Sequence, residues 1–128
     1  MRLLLDTHAF LWFVLGDALL CDYAKSLILD TDNEKLVSPA SYWEIAIKIS
    51  IGKLSLNAPY EVFIRRGIEA NGFVILPITI KQTAAVSTMP FHHRDPFDRL
   101  LVAQALVEDI PLVSADSILD AYGIKRLW

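Results

Sequence analysis

The chain has 128 residues, 54% of them hydrophobic, with 12 basic against 15 acidic side chains and a net charge of −3. That length supports one core and one domain spanning 1–128, and the acidic balance counts mildly against a nucleic-acid binder that works by bulk positive charge alone. The longest unbroken apolar run, Ala9 to Leu15, is far short of the roughly 20 residues of a membrane-spanning helix.

The elements follow in order along the chain. RLLLDT is a short apolar run that ends on an acid, and the opening MRLLLD has too few apolar residues for a secretory signal. Helical character then runs from His8 to Leu15 and stops at Gly16, and a second helical stretch covers about Leu20 to Leu29. The lone Cys21 excludes an internal disulfide and reads as a small apolar residue, which suits a cytoplasmic chain. KLVSP (35–39) reads as a second strand. Ala40 to Ile49 carries Tyr42, Trp43, Ile45, Ala46 and Ile49 on the spacing of a buried helix face.

Residues 52–59 form a loop, and Tyr60 to Ala70 is a helix ended by Asn71-Gly72, both tolerant of positive φ. FVILPI (73–78) predicts a third strand, Thr79 to Thr88 a helix, and MPFHHR a loop. Pro96 to Asp109 is the longest helix, with a wide apolar stripe over Leu100, Leu101, Ala103, Leu106 and Val107. PLVSAD (111–116) is a fourth strand, followed by a short helix to Tyr122 and a fifth strand in IKRLW. Strands alternating with helices predict a parallel α/β sandwich, whose ligand site lies beyond the carboxyl ends of the strands.

Four acids stand at such ends or at helix starts: Asp6, Glu44, Asp98 and Asp116. Each has a structural explanation. Asp6 and Asp116 suit N-caps, Ser41-Tyr42-Trp43-Glu44 matches a capping box, and Asp95-Pro96-Phe97-Asp98 is a helix start with Asp95 as its cap. Capping, however, is indifferent to where helices begin. Hydrolysis of a phosphodiester needs acids that converge, since hard divalent cations take several oxygen ligands.

With those acids in place, LLLDTHAFLW, SPASYWEIAIK, HHRDPFDRLLVAQA and LVSAD, in that order, resemble the PIN domain, and within it the VapC-like toxins of type II toxin–antitoxin pairs. The resemblance covers nearly the whole chain. It implies a three-layer α/β/α sandwich with a central parallel sheet, and a ribonuclease site dependent on Mg²⁺ or Mn²⁺. It also implies a small antitoxin that neutralises the chain, and the apolar excess suggests a surface covered by that partner and by a second copy in a homodimer. The family's first acid falls on Asp6, its helix glutamate on Glu44, its third acid on Asp98 and its fourth on Asp116, with Thr7 beside the first. In that reading Asp6 and Asp98 hold the principal ion, and Glu44 and Asp116 orient water or help to hold a second.

The remaining polar residues have plainer readings. His92-His93-Arg94 suggests a solvated loop near RNA phosphate more than a metal site, because adjacent side chains seldom point at one ion. Arg94 and Arg99 are the candidates for RNA backbone contacts, and Lys48 is a helix partner of Glu44. Trp12, Trp43 and Trp128 fit core or interface positions, while Ser38, Ser41 and Ser114 lack the setting of an activated nucleophile. A haloacid-dehalogenase-type phosphatase would need a second aspartate where His8 stands, and a receiver domain a lysine that PLVSAD does not supply. A dinucleotide fold is excluded, since the five glycines form no G-x-G-x-x-G. A non-catalytic domain with its acids acting only as caps is the remaining competitor.

Overall fold

The computed structural model describes residues 1–128. Its elements are β1 (Arg2–Leu5), α1 (Thr7–Leu15), α2 (Asp22–Leu29), β2 (Glu34–Val37), α3 (Pro39–Ser50), α4 (Tyr60–Glu69), β3 (Val74–Ile75), α5 (Ile80–Ser87), α6 (Pro96–Glu108), β4 (Leu112–Val113), a 3-10 helix (Ser117–Tyr122) and β5 (Arg126–Leu127). All five strands are parallel, in the order β3-β2-β1-β4-β5. The architecture is the expected α/β/α sandwich.

β1 shows why the sheet is buried on both sides. Leu3 and Leu5 enter one core cluster and Leu4 the other, all fully buried, as alternate residues of a strand must point to opposite faces. The first cluster adds Phe10, Ala24, Ile45 and Ile64 from α1 to α4; the second adds Leu101, Val102 and Ala105 from α6, and Leu119 from the 3-10 helix. α5 completes that layer by packing on α6. β1 is the central strand, and the order runs outward from it in both directions. The crevice at the carboxyl ends of β1 and β4 is therefore the topological switch point.

Helix α3 closes that crevice. It contributes Ala40 to one cluster and Ile45 to the other, and it touches both α1 and α6. Its start is fixed by Ser38, whose buried hydroxyl accepts from the Ala40 amide at 3.1 Å, with Pro39 in the first turn. Ser38→Ala is expected to cost about 1–2 kcal/mol of stability, measurable by denaturant melts; an unchanged midpoint would contradict the capping role.

Several expected elements differ. The fourth strand, expected over 111–116, contracts to Leu112–Val113, and the fifth, expected in IKRLW, to Arg126–Leu127. The third strand, expected over 73–78, contracts to Val74–Ile75. Leu76 still donates to the Val37 carbonyl at 2.9 Å, but Pro77 has no N–H and the ladder ends there. The Ser41–Glu44 capping box does not form, because the helix begins three residues earlier with Ser38 as its cap. Glu44 thus lies inside the helix, and its burial needs another explanation.

Candidate active site

The sheet order carries Asp6, which directly follows β1, and Asp116, which follows β4, to neighbouring positions at one edge. α3 brings Glu44 and α6 brings Asp98 to the same place. Asp6 and Glu44 are buried, at 6% and 4% exposure, while Asp98 and Asp116 are half-buried. Capping and site membership are not alternatives here, because a carboxylate has two oxygens. Asp6 Oδ1 accepts from the Ala9 amide at 2.8 Å, and Asp116 Oδ1 accepts from the Ile118 amide at 3.0 Å. Asp116 Oδ2 lies instead 2.9 Å from His93 Nε2. Glu44 Oε2 pairs with Lys48 Nζ at 2.9 Å, as the helix spacing predicts, and Oε1 is buried with no hydrogen-bond partner.

The electrostatics couple three of the four acids, Asp6, Glu44 and Asp98. Burial, reinforced by Asp95, Asp6 and Glu44, pushes the Asp98 carboxyl from its ordinary 3.8 up to about 7. Burial also raises Asp6, with Glu44 adding to the effect and the Ser114 hydroxyl and Ala9 amide opposing it. The same Ser114 hydroxyl accepts from the Asp116 amide at 3.1 Å, so it links the two strand-end acids. Thr7 donates to the Ser41 hydroxyl at 3.2 Å, tying the start of α1 to α3.

This donor set fits a divalent cation. Like charges held together and an orphaned buried carboxylate oxygen are unfavourable alone, and a doubly charged ion reverses both terms. Asp95 sits apart in role: its Oδ1 accepts from the Phe97 and Asp98 amides at 2.8 and 3.1 Å, the N-cap expected of it.

Three placements differ from the expectation. His93, assigned to a solvated loop, stands in the site, with Nε2 3.4 Å from Asp98 Oδ2. With Asp98 and Asp116 it forms a group whose ligating atoms all lie within 4.8 Å of one another. Of the adjacent pair only His93 turns inward: His92 stays exposed, edge-on to Tyr122. Arg99, expected at the RNA backbone, is buried, donates from Nη2 to the Met89 carbonyl at 2.9 Å and lies over the Phe91 ring at 3.9 Å. It shapes the loop before α6, whereas Arg94 is exposed. Trp43, expected on a buried face, is 58% exposed and meets Phe97 edge-on.

The sequence model of the PIN domain family matches residues 3–125. No curated protein matches the chain in sequence at a significant level. Among solved structures, the chain is similar to one from VapBC2 of Rickettsia felis bound to a DNA fragment from their promoter, with 13% identity, a TM-score of 0.72, and coverage of 99% of this chain and 98% of that one. It is also similar to chains of FitAcB from Neisseria gonorrhoeae (17% identity, TM-score 0.68, covering 98% and 96%) and of VapBC-1 from nontypeable Haemophilus influenzae (17%, 0.67, covering 99% and 97%). At such identities the likeness speaks for the fold. The family match spans almost the entire chain and includes all four acids: the chain belongs to the PIN domain family.

Proposed function

We propose that this chain is a metal-dependent endoribonuclease and the toxin of a type II toxin–antitoxin pair, hydrolysing RNA phosphodiester bonds at Asp6, Glu44, Asp98 and Asp116. The observation that carries this reading is the gathering of four acids from distant segments, with Glu44 Oε1 buried and unpartnered. Asp6 and Asp98 would hold Mg²⁺ or Mn²⁺, and Glu44 and Asp116 would complete its shell or orient water. The bound ion would lower the pKa of a coordinated water and stabilise charge on the phosphate.

The chain's own residues supply the rest. α1 and the 3-10 helix each fix one oxygen of an acid through a backbone amide, so the carboxylates are held in place before substrate arrives. Lys48 pairs with Glu44 Oε2 at 2.9 Å and orients its carboxylate inside the helix. Arg94, exposed beside the crevice residues, is the remaining candidate for RNA phosphate.

The toxin assignment is supported by the similar fold of chains from VapBC and FitAB assemblies. A small antitoxin and a homodimer are the partners this reading implies. The apolar excess, with mean hydropathy +0.40 and exposed Leu15, Leu19, Tyr23 and Leu29 around α1 and α2, leaves surface for them to cover. No helix is long and apolar enough to cross a membrane. The test is cleavage of RNA by the purified chain. Activity should vanish with a chelator and return with Mg²⁺ or Mn²⁺, and chelator-resistant cleavage would overturn the metal mechanism.

A further inference from the structure

The loop from Met89 to Asp95 is tied down at several points, and His93 is the centre of them. Its backbone amide donates to the Tyr122 hydroxyl at 3.0 Å, which joins the loop to the end of the 3-10 helix that Asp116 caps. Its ring makes three further contacts, one at Nδ1 and two at Nε2. Nδ1 accepts a hydrogen bond from the Asp95 amide at 3.0 Å. Nε2 faces Asp116 Oδ2 at 2.9 Å and Asp98 Oδ2 at 3.4 Å.

These contacts decide the tautomer. A backbone amide can only donate, so the Nδ1 lone pair is occupied and Nδ1 carries no proton. The ring proton therefore sits on Nε2, where it points at two acceptor oxygens. An imidazole in that state has no lone pair at Nε2 to offer a cation. Although its nitrogen lies within 4.8 Å of the ligating oxygens of Asp98 and Asp116, His93 is turned to donate to acids and not to ligate beside them.

We infer that His93 is a positioning residue of the metal centre: through a tautomer fixed by the Asp95 amide, it orients the carboxylate of Asp116, and secondarily that of Asp98, toward the ion. Asp116 needs such a partner. It lies on a short irregular segment after β4, and its other oxygen already serves as the cap of the 3-10 helix. The two hydrogen bonds, one on each oxygen, hold its carboxylate plane. Outer partners of this kind typically set metal affinity by about 10- to 100-fold. The role rests on the functional reading above, since it supposes that Asp116 is a ligand.

Two measurements test it. In metal-free protein, the ¹⁵N shifts of the His93 ring should place the proton on Nε2; a proton on Nδ1 overturns the inference without touching the metal reading. In calorimetric titration with MnCl₂, His93→Ala should weaken binding about 10- to 100-fold, and His93→Gln, which keeps a donor near the Nε2 position, should restore most of the loss. In the Asp116→Ala background the further change His93→Ala should cost much less than in the parent, since the main group it orients is gone and only the longer contact to Asp98 remains. His93→Ala binding Mn²⁺ as tightly as the parent, or losses that simply add in the double variant, would overturn the role. Direct imidazole-nitrogen coupling in the electron paramagnetic resonance of bound Mn²⁺ would overturn it also, by making His93 a ligand. If the unaltered chain takes up no Mn²⁺, the metal-centre reading falls, and this inference with it.

Discussion

Asp98→Asn is expected to abolish RNA cleavage and, in the same protein, to make the metal-free fold more stable. Both effects come from one property of the site. Metal stabilisation of phosphate charge is worth several kcal/mol, so loss of a principal ligand should lower the rate by on the order of 10³-fold or more. The stabilising effect follows from the carboxyl's own position. Its shift from 3.8 to about 7 corresponds to a penalty on the order of 4 kcal/mol for the ionised form. Asparagine keeps the shape and removes the charge, and because Asp6, Glu44 and Asp95 share the repulsion, the single change recovers part of that amount. Cleavage assays and denaturant melts in chelator at pH 8 would check it. Retained cleavage, or a variant less stable than the parent without metal, would contradict the assignment of Asp98.

The metal-free chain should lose stability as pH rises from about 4 to about 7, the opposite of a protein whose acids sit in salt bridges. Asp98 is protonated in the fold below about 7 but ionises in the unfolded chain near 3.8. Between these values the folded state binds more protons than the unfolded one, so unfolding becomes easier as pH rises, and the penalty is complete above the upper value. Asp6, also raised by burial, adds in the same direction. Saturating Mg²⁺ should flatten or invert the profile, because the ionised acids are the ones that bind it. At 100 times its dissociation constant a ligand adds about 2.7 kcal/mol. Melts at pH 5, 6, 7 and 8, with chelator and with Mg²⁺, give the comparison; a flat chelator profile would contradict the clustered-acid description.

The strands near the site were legible because they are apolar runs ending on a recognisable residue. RLLLD and LVSAD mark β1 and β4, and a parallel sheet then brings Asp6 and Asp116 to one edge. Asp98 was legible from Asp95-Pro96, which dates the helix start and puts Asp98 in its first turn. Glu44 was ambiguous because S-x-x-E spacing fits a capping box as well as a buried acid. Only the choice of Ser38 over Ser41 as cap separates them, and that depends on where β2 ends.

His93 and Arg99 were misplaced for a different reason. Both depend on the path of an irregular loop, which periodicity does not describe. The usable signal was local. A histidine two residues before an Asp-Pro helix start can accept from the cap residue's amide, which turns its ring toward the helix that carries Asp98. Arg99 is one position past Asp98 on α6, and the helix turn carries it to the loop, where the Met89 carbonyl and Phe91 ring receive it. β3 shortened because Pro77 interrupts the ladder, a limit the strand's own sequence already contains.

Anomalous diffraction from crystals soaked in Mn²⁺ would locate the ion on the chain. A peak is expected in the crevice at the carboxyl ends of β1 and β4, within bonding distance of oxygens of Asp6 and Asp98, with Glu44 and Asp116 facing it. Saturating Mn²⁺ with no peak among these four acids, or a peak held elsewhere on the chain, would contradict the four-acid metal site.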